Sequence, residues 1–170
     1  MEFQLKLSAR HIIEMETIAQ LTARFANPGK VEWIGIRPGR RSDIVSLSEV
    51  SVAMSGLEGD HYQSGGKRAV TLIQQEHLAV IASFLGWSET APELLRRNIV
   101  VSGINLLGLR NRRFRAGTAI LEGSGLCAPC SRMEENLGNG GYAAVRGHGG
   151  ITAKIVEPGV ISLGDVLIPV

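Results

Sequence analysis

Three short β-type runs close the sequence: Ile151-Thr-Ala-Lys-Ile-Val156, Val160-Ile-Ser-Leu163 and Val166-Leu-Ile168. They are rich in β-branched residues, which favour extended backbone. The dipeptide Gly164-Asp165 separates the last two runs and is typical of a hairpin turn. This end of the sequence therefore predicts short strands joined by tight glycine turns.

The pattern of short β-type runs separated by glycine extends back to Lys30. The chain has 21 glycines, nearly twice the average share, and they punctuate five further strand candidates: 31–36, 44–52, 69–73, 99–102 and 118–122. Helical periodicity is confined to 75–84, to 92–97 and to an N-terminal segment from 8 to about 26. We therefore expect a mainly β sandwich or barrel with a few short helices, divided into an N-terminal helical extension over 1–29 and one domain over 30–170.

Composition narrows the possible functions. The 170 residues are 44% hydrophobic and 20% charged, with a net charge of +2, which is ordinary for a globular protein and too small a basic excess for a nucleic-acid-binding surface. The sequence has no run of about 18 apolar residues to cross a membrane, and its start, Met-Glu-Phe-Gln-Leu-Lys-Leu, lacks the apolar core of a signal peptide. We expect a cytoplasmic protein with reduced thiols, and neither nucleic acid nor membrane as a partner.

The only two cysteines of the sequence lie three residues apart, in Cys127-Ala-Pro-Cys130. Two thiols cannot supply the four ligands of a structural zinc site, which leaves a redox couple, a nucleophile, or a ligand for a metal held partly by another group. Ser131 and Glu134 have the spacing of a capping box, which places Cys130 just before the first turn of a helix. Unpaired amides there and the adjacent Arg132 favour a thiolate, so Cys130 is the candidate reactive sulfur and Cys127 an accessory of the turn.

Arginines are grouped in three loops: Arg37, Arg40 and Arg41; Arg96 and Arg97; and Arg110, Arg112, Arg113 and Arg115. We interpret the third group as a solvated turn, because turns collect such charges routinely. If the first two loops converge in space, their guanidinium groups form a compact anion site that suits a phosphate or a pyrophosphate.

Two glycine runs, 138–141 and 147–150, match neither the Rossmann fingerprint nor the Walker loop. Two interpretations stay open for them: a mobile loop, or a backbone cradle for a ligand beside Cys130. His148 in the second run is either solvated or a proton donor on the substrate side. His61 either orients an acid or a substrate, or is a surface turn residue.

Five short motifs follow one another along the chain. They are Gly56-Leu-Glu-Gly-Asp60, Lys67-Arg-Ala-Val-Thr-Leu72, Arg97-Asn-Ile-Val-Val-Ser-Gly103, Cys127-Ala-Pro-Cys130 and Gly159-x-Ile161-x-x-Gly164-Asp165. In this order they resemble a MOSC domain, the module found at the C-terminus of molybdenum cofactor sulfurases and in the mitochondrial amidoxime reducing component. The resemblance covers roughly residues 30 to 170, is especially close to the small stand-alone bacterial type, and implies a mainly β, barrel-like fold.

The resemblance also implies a cofactor and the residues that hold it. In relatives that bind the molybdenum cofactor (molybdopterin), a single cysteine ligates the metal, and the pattern places it at Cys130. The residues expected around the pterin and phosphate are polar or charged: Arg40, Asp60, Arg68, Arg96, Asn98 and Arg132. Guanidinium groups would serve there through charge-assisted bonds to phosphate, whereas Asp60 either accepts bonds from the pterin or folds its own turn. We do not expect pyridoxal phosphate to be bound by this domain itself.

A bound molybdenum cofactor with one open metal position implies an oxidoreductase that carries out two-electron reduction of an N–O bond, with Cys130 as the catalytic residue. The substrates implied by the family are small N-hydroxylated molecules, namely N-hydroxylated bases, amidoximes or hydroxylamines. The sequence has no haem or flavin signature, so we expect a separate reductase to donate the electrons. Two alternatives stay open: a sulfur carrier with a persulfide on Cys130, and a non-catalytic carrier of the cofactor.

Overall fold

The computed structural model of the chain describes residues 16–170. Within them the strands are β1 (Gly29–Ile36), β2 (Val45–Leu47), β3 (Glu49–Ala53), β4 (Gly56–Leu57), β5 (Val70–Gln74), β6 (Ile99–Ser102), β7 (Arg113–Ala116), β8 (Ala119–Leu126), β9 (Ile151–Glu157), β10 (Gly159–Ser162) and β11 (Val166–Pro169). The helices are α1 (Ile18–Thr22), α2 (Gln75–Leu85), α3 (Pro92–Leu95), α4 (Ser131–Leu137) and α5 (Gly141–Val145). Two 3₁₀ turns span Gly66–Arg68 and Leu106–Leu109.

Seven strands close into a barrel in the order β11-β7-β8-β9-β5-β6-β1, because β1 pairs again with β11. β5 and β6 run parallel, and the other neighbours in the barrel are antiparallel. β2 extends the sheet beside β1, and β10, β3 and β4 form a separate antiparallel sheet. Closure pairs the strand edges that an open sheet would expose.

Two apolar cores explain why β5 and β6 are buried on both faces. Leu72 and Ile99 point into the barrel core, whereas Ile73 and Val100, the next residues along, pack on a second core formed with the helices. Successive residues of a strand point to opposite faces, and a strand covered on both sides reads as a continuous apolar run. Complete burial of one such side chain stabilises the fold by about 1.5–3 kcal/mol.

The mainly β, barrel-like fold with few short helices is confirmed. The strand candidate 44–52 contains two strands, β2 and β3. The interpretation of the third arginine group as a solvated turn is wrong at β7, which is a barrel strand with Phe114 and Ala116 buried and Arg113 and Arg115 exposed. The glycine-rich stretch after α4 leads into α5, which the sequence did not indicate.

The turn at Gly164-Asp165 joins strands that do not pair with each other. Gly164 has a φ of 85°, and the Asp165 carboxylate accepts a hydrogen bond from Ser162 N at 2.7 Å. β10 pairs with β3, however, whereas β11 pairs with β7 and β1. The prediction of a hairpin is therefore wrong, because turn chemistry sets the reversal of the chain but not the partner of each strand.

The predicted N-terminal helix from 8 to about 26 falls partly on residues 1–15, which lie outside the described residues. In the described part, α1 begins with a capping box in which Thr17 and Gln20 bond each other's main chain. It ends well before β1 begins at Gly29. The division of the chain into 1–29 and 30–170 stays a prediction.

We predict that Gly150→Ala destabilises the fold by about 3 kcal/mol or more. Gly150 has a φ of +82°, and a Cβ there would overlap the Leu72 carbonyl oxygen and lie 2.8 Å from Ile73 Cα. Chemical denaturation measures the loss. Gly164→Ala is the matched control, since Gly164 has a φ of +85° and a Cβ there would have no neighbour within 4 Å. Only the left-handed backbone destabilises this variant, by about 1–2 kcal/mol. Equal losses in the two variants would show that packing at Gly150 is unimportant.

Candidate functional site

A cavity of about 290 Å³ opens beside the parallel strands β5 and β6. Its lining brings together residues that are far apart in the sequence: Arg37, His61, Tyr62, Arg68, Thr71, Arg96, Arg97, Cys127, Ala128 and Cys130. A larger cavity of about 450 Å³ beside Phe25 also has arginines in its lining but no cysteine. The combination of thiols and guanidinium groups makes the smaller cavity the candidate site.

Cys130 is the exposed thiol of the site, and Cys127 is the buried one. Cys130 lies just before the first turn of α4, as predicted, but it is itself the N-cap residue, and its carbonyl accepts a hydrogen bond from Met133 N at 2.8 Å. Cys127 is fixed through its main chain, since its N–H donates to Gly150 O at 2.9 Å and its carbonyl accepts from Arg97 at 3.2 Å. The loop thus has an anchored first cysteine and an accessible second one.

The capping box predicted between Ser131 and Glu134 is wrong. Ser131 is the first residue of α4, and no side chain among the described residues caps this helix. The Glu134 carboxylate instead accepts from Tyr142 N at 2.9 Å and Gly140 N at 2.7 Å, and these two bonds lower the pKa of Glu134. Glu134 therefore anchors the glycine run before α5, and the case for Cys130 depends on its exposure and on its arginine neighbours.

Arg96 ends α3 in a left-handed backbone conformation, with a φ of 57°. This conformation costs a non-glycine residue about 1–2 kcal/mol. The Arg96 guanidinium reaches the loop after β1, where Nη2 donates to Arg40 O at 3.0 Å. Burial, followed by the positive charges of Arg37 and Arg132, lowers the pKa of Arg96. The first two arginine loops therefore meet in space, which was the condition for an anion site, and positive charge is concentrated at the cavity.

Arg97 is the buried cation of the site, with only 5% of its surface exposed. Its guanidinium donates to three main-chain carbonyls, with Nε to Gly149 O at 2.8 Å, Nη1 to Leu95 O at 2.7 Å and Nη2 to Cys127 O at 3.2 Å. None of the ion pairs within residues 16–170 includes it. Burial lowers the pKa of Arg97, and a buried cation without a carboxylate attracts an anion to the adjoining space.

Asp60 is a buried carboxylate directly behind the cavity lining. Its Oδ2 accepts hydrogen bonds from Arg37 N at 3.0 Å and from Asn98 Nδ2 at 3.1 Å, and its Oδ1 accepts from Tyr62 N at 2.9 Å. The same Oδ1 lies 3.2 Å from Nδ1 of His61, a cavity residue. The carboxylate thus has a fixed orientation and reaches the cavity through the imidazole.

Asn98 joins the strands behind the cavity. Its Oδ1 accepts from Thr71 N at 3.1 Å and from Thr71 Oγ1 at 2.8 Å, while its Nδ2 also donates to Gly35 O at 3.2 Å. The side chain is 3% exposed with both ends engaged. Asn98 therefore connects β1 and β5 at the start of β6, where Arg96 and Arg97 precede it.

His148 lies in an aromatic cluster with His77 and Phe84 of α2. Its ring centroid is 5.0 Å from that of His77 and 5.5 Å from that of Phe84. The Nδ1 atoms of both histidines are buried without a hydrogen-bond partner among the described residues. Burial, and then the charge of His148, lowers the pKa of His77. The cluster packs the glycine run 147–150 against α2.

The structure brings only part of the predicted site into the cavity lining. Cys130, Arg68 and Arg96 line the cavity, and Asp60 and Asn98 lie behind it. Arg40 contributes its carbonyl to Arg96 and has an exposed side chain, and Arg132 is close enough to Arg96 to lower its pKa. Of the remaining polar lining residues, Arg37 and Arg97 belong to the two loops considered as an anion site, and His61 was considered as a residue that orients an acid or a substrate. No role was assigned from the sequence to Tyr62 or Thr71. Thr71 and Arg97 lie inside two of the five motifs, and this position in the sequence was the signal that could have indicated them as site residues.

The cavity lining contains four guanidinium groups, so an anion suits it electrostatically. Within residues 16–170 no group of three or more His, Cys, Asp or Glu side chains is placed to hold a metal ion. In this same part of the chain, no helix has the length and apolar character needed to cross a membrane.

Comparison with known proteins identifies relatives of the fold. A family model described as MOSC domain matches residues 58–168. The crystal structure of the YuaD protein from Bacillus subtilis is 20% identical, with a TM-score of 0.74 over 83% of this chain and 94% of that one. YiiM from Geobacillus stearothermophilus is 19% identical, with a TM-score of 0.70 over 84% of this chain and 75% of that one. YiiM from Escherichia coli is also 19% identical, with a TM-score of 0.65 over 83% of this chain and 69% of that one. A search of curated proteins gives no match.

We predict that Arg96→Gly weakens the binding of inorganic pyrophosphate about tenfold without loss of fold stability. One charge-assisted hydrogen bond contributes about 1.5–3 kcal/mol, and glycine accepts the φ of 57° without strain. Thermal shift against pyrophosphate concentration measures both quantities. Arg96→Ala is the matched control, because it loses the same guanidinium but keeps the backbone strain. Unchanged pyrophosphate affinity in both variants would remove Arg96 from the anion site.

We predict that stability falls as the pH drops below the ordinary histidine pKa of 6.5. The folded state lowers the pKa of His77, so the unfolded chain binds more protons in this range and protonation favours unfolding. Urea denaturation between about pH 5 and 7.5 measures the slope. His77→Phe keeps a ring against His148 and should flatten the slope. An identical slope in this variant would assign the acid sensitivity to other groups.

Proposed function

The chain belongs to the MOSC domain family, and we propose that it binds the molybdenum cofactor through Cys130 and reduces the N–O bonds of small N-hydroxylated molecules. The observation that carries the proposal is an exposed thiol in a cavity lined by four guanidinium groups. The thiol is a soft metal ligand, and the guanidinium groups suit an anionic pterin phosphate. The residues present therefore fit the cofactor that the family implies.

The positive residues have two different roles in this proposal. Arg96 and Arg68 offer guanidinium groups at the cavity lining that can bond phosphate oxygens. Arg97 has all three of its nitrogens engaged with carbonyls, so it attracts the anion by charge and holds the walls in place. Burial, followed by the nearby charges of Arg37 and Arg132, lowers the pKa of Arg96, and a bound anion would offset both effects.

Cys130 supports the role of metal ligand through its position. It is exposed at the N-cap of α4, and the charges of Arg96 and Arg132 lie nearby. A cysteine sulfur is a soft metal ligand, and this one is open to the cavity. Cys127 is buried and tied to Gly150 and Arg97 through its main chain, which fits the role of a loop anchor.

When bound, the cofactor supplies the two-electron chemistry. Reduction of an N-hydroxyl group consumes two electrons and two protons, breaks the N–O bond, and yields an N–H group and one water. We propose that a separate reductase donates the electrons. The protein itself orients the substrate and delivers protons at the cavity.

Sulfur transfer is the second candidate function, and the exposure of Cys130 favours it. A persulfide carrier needs a nucleophilic thiolate within reach of an acceptor. In that case Cys130 would hold the transferable sulfur atom and the guanidinium groups would stabilise its negative charge. Such a protein would contain cyanide-labile sulfur instead of molybdenum and pterin.

We predict that Cys130→Ala abolishes the molybdenum content and the reduction of benzamidoxime, whereas Cys127→Ala retains both at more than half of the wild-type level. Only the exposed cysteine is proposed as a metal ligand. Elemental analysis measures the metal, and reduced methyl viologen supplies electrons without the physiological reductase. Both variants should unfold near the wild-type denaturation midpoint, apart from about 1 kcal/mol for the buried methylene-sized loss at Cys127.

Three other outcomes would contradict this function. Equal loss of activity in the two variants would indicate a dithiol couple. Wild-type protein with cyanide-labile sulfur on Cys130 and no pterin would establish the sulfur carrier. Stoichiometric cofactor without reduction of any N-hydroxylated base, amidoxime or hydroxylamine would leave a cofactor carrier.

A further inference from the structure

The Asp60 carboxylate and the His61 imidazole form a dyad at the cavity. Three donors hold the carboxylate, namely the main-chain N–H groups of Arg37 and Tyr62 and the Asn98 amide. Its side chain is only 3% exposed, and these bonds hold it in one orientation. Such rigid support is what positions a catalytic group in other enzymes.

The hydrogen bonds of His61 determine its tautomer. Nδ1 lies 3.2 Å from Asp60 Oδ1 and 3.3 Å from Arg37 O, and both neighbours are acceptors. Nδ1 must therefore carry a hydrogen, which leaves the proton exchanged in catalysis to Nε2. Within residues 16–170, Nε2 makes no hydrogen bond of its own, and the side chain is 25% exposed. The second ring nitrogen is available both to a substrate in the cavity and to water.

We propose that His61 is the proton donor of the N–O reduction, acting through Nε2, and that Asp60 is the positioning residue behind it. This inference depends on the proposed reductase function. It assigns a catalytic role to a residue that lines the same cavity as Cys130.

The proton is needed at nitrogen. When the N–O bond breaks with two electrons from the reductase, the nitrogen is left with an electron pair, and a strongly basic nitrogen leaves poorly without a proton. The imidazolium form of His61 passes its Nε2 proton to this nitrogen as the N–H bond forms, and a second proton from solvent completes the water. The neutral imidazole keeps its Nδ1–H bond to Asp60 and regains the Nε2 proton from water.

The charges that face His61 are of both signs. The cavity also contains Arg37, Arg68, Arg96 and Arg97, together with the thiols of Cys127 and Cys130. An imidazolium among four guanidinium groups requires a nearby negative charge. The Asp60 carboxylate supplies it through Oδ1, 3.2 Å from His61 Nδ1, while its Oδ2 lies 3.6 Å from Nε of Arg37.

The kinetic test compares His61→Gln with wild type in the cofactor-loaded protein. We expect kcat to fall about 100-fold, the low end for loss of a general acid, with KM and molybdenum content unchanged. His77→Gln is the matched control, since it removes an imidazole that lies outside the cavity lining. It should keep wild-type kcat.

A series of para-substituted benzamidoximes separates proton donation from a structural effect. Electron-withdrawing groups make the product nitrogen less basic, so it leaves more easily without a proton. The loss of kcat in His61→Gln should therefore be smallest for the para-nitro substrate and largest for the para-methoxy substrate. A purely structural defect would lower all rates by the same factor.

Nitrogen-15 NMR of the cofactor-free protein tests the dyad without activity. In the neutral form of His61 we expect the hydrogen to lie on Nδ1, which faces two acceptors. In Asp60→Asn, the amide oxygen is expected to take the place of Oδ2, because two donors, Arg37 N and the Asn98 amide, bond there, whereas Tyr62 N alone donates at Oδ1. The amide NH₂ then faces His61 Nδ1 and should shift the imidazole to the Nε2–H tautomer.

Three results would overturn the inference. The first is that wild type is active and His61→Gln retains more than a third of its kcat. The others are a uniform loss of kcat across the benzamidoximes, and wild-type His61 with its hydrogen on Nε2. A different result marks failure of the reductase function itself. In that case cofactor-loaded wild type reduces none of the benzamidoximes, and the proton-donor role falls with it even if the Nδ1–H tautomer is observed.

Discussion

The site depends on one buried guanidinium. Arg97 donates to the carbonyls of Leu95, Cys127 and Gly149, and so it joins the end of α3, the cysteine loop and the glycine run before β9. A buried cation costs several kcal/mol unless charges or dipoles compensate it. Carbonyl dipoles meet part of that cost, and an anion in the adjoining cavity would meet more of it. The same contact therefore fixes the shape of the cavity and the sign of the charge that the cavity attracts.

Around this contact, a rigid scaffold supports residues on loops. Asn98 bonds to β1 and β5 at the start of β6, and it also holds Asp60. The helices cover the outer face of the same two parallel strands. Strand ends thus position Arg97 and Thr71, whereas His61 and Cys130 come from loops anchored at both sides. Precise geometry on such supports is what chemistry at a cavity requires.

The sequence was informative where structure depends on near neighbours. Apolar runs indicated most barrel strands, and spacing placed Cys130 at the start of α4. In β7, arginine alternates with Phe114 and Ala116, which is the pattern of a half-buried strand. The clustered charges of the same segment favoured a turn instead. Glu134 matched a capping pattern, yet its carboxylate bonds Gly140 and Tyr142, which spacing alone does not reveal. The burial of Arg97 and its contacts with carbonyls 30 and 52 residues away exist only in the folded chain.

The pairing of β1 with β11 also determines when the protein can become functional. Gly29 and Lys30 meet Leu167 and Val166, so the two partners are separated by nearly the whole described chain. Pairings between distant segments form slowly, and domains made on the ribosome begin to fold from the N-terminal side. The first barrel strands must wait with exposed edges until the last one has been synthesised. The closed barrel, and with it the complete lining of the cavity, therefore forms only after β11 has been synthesised.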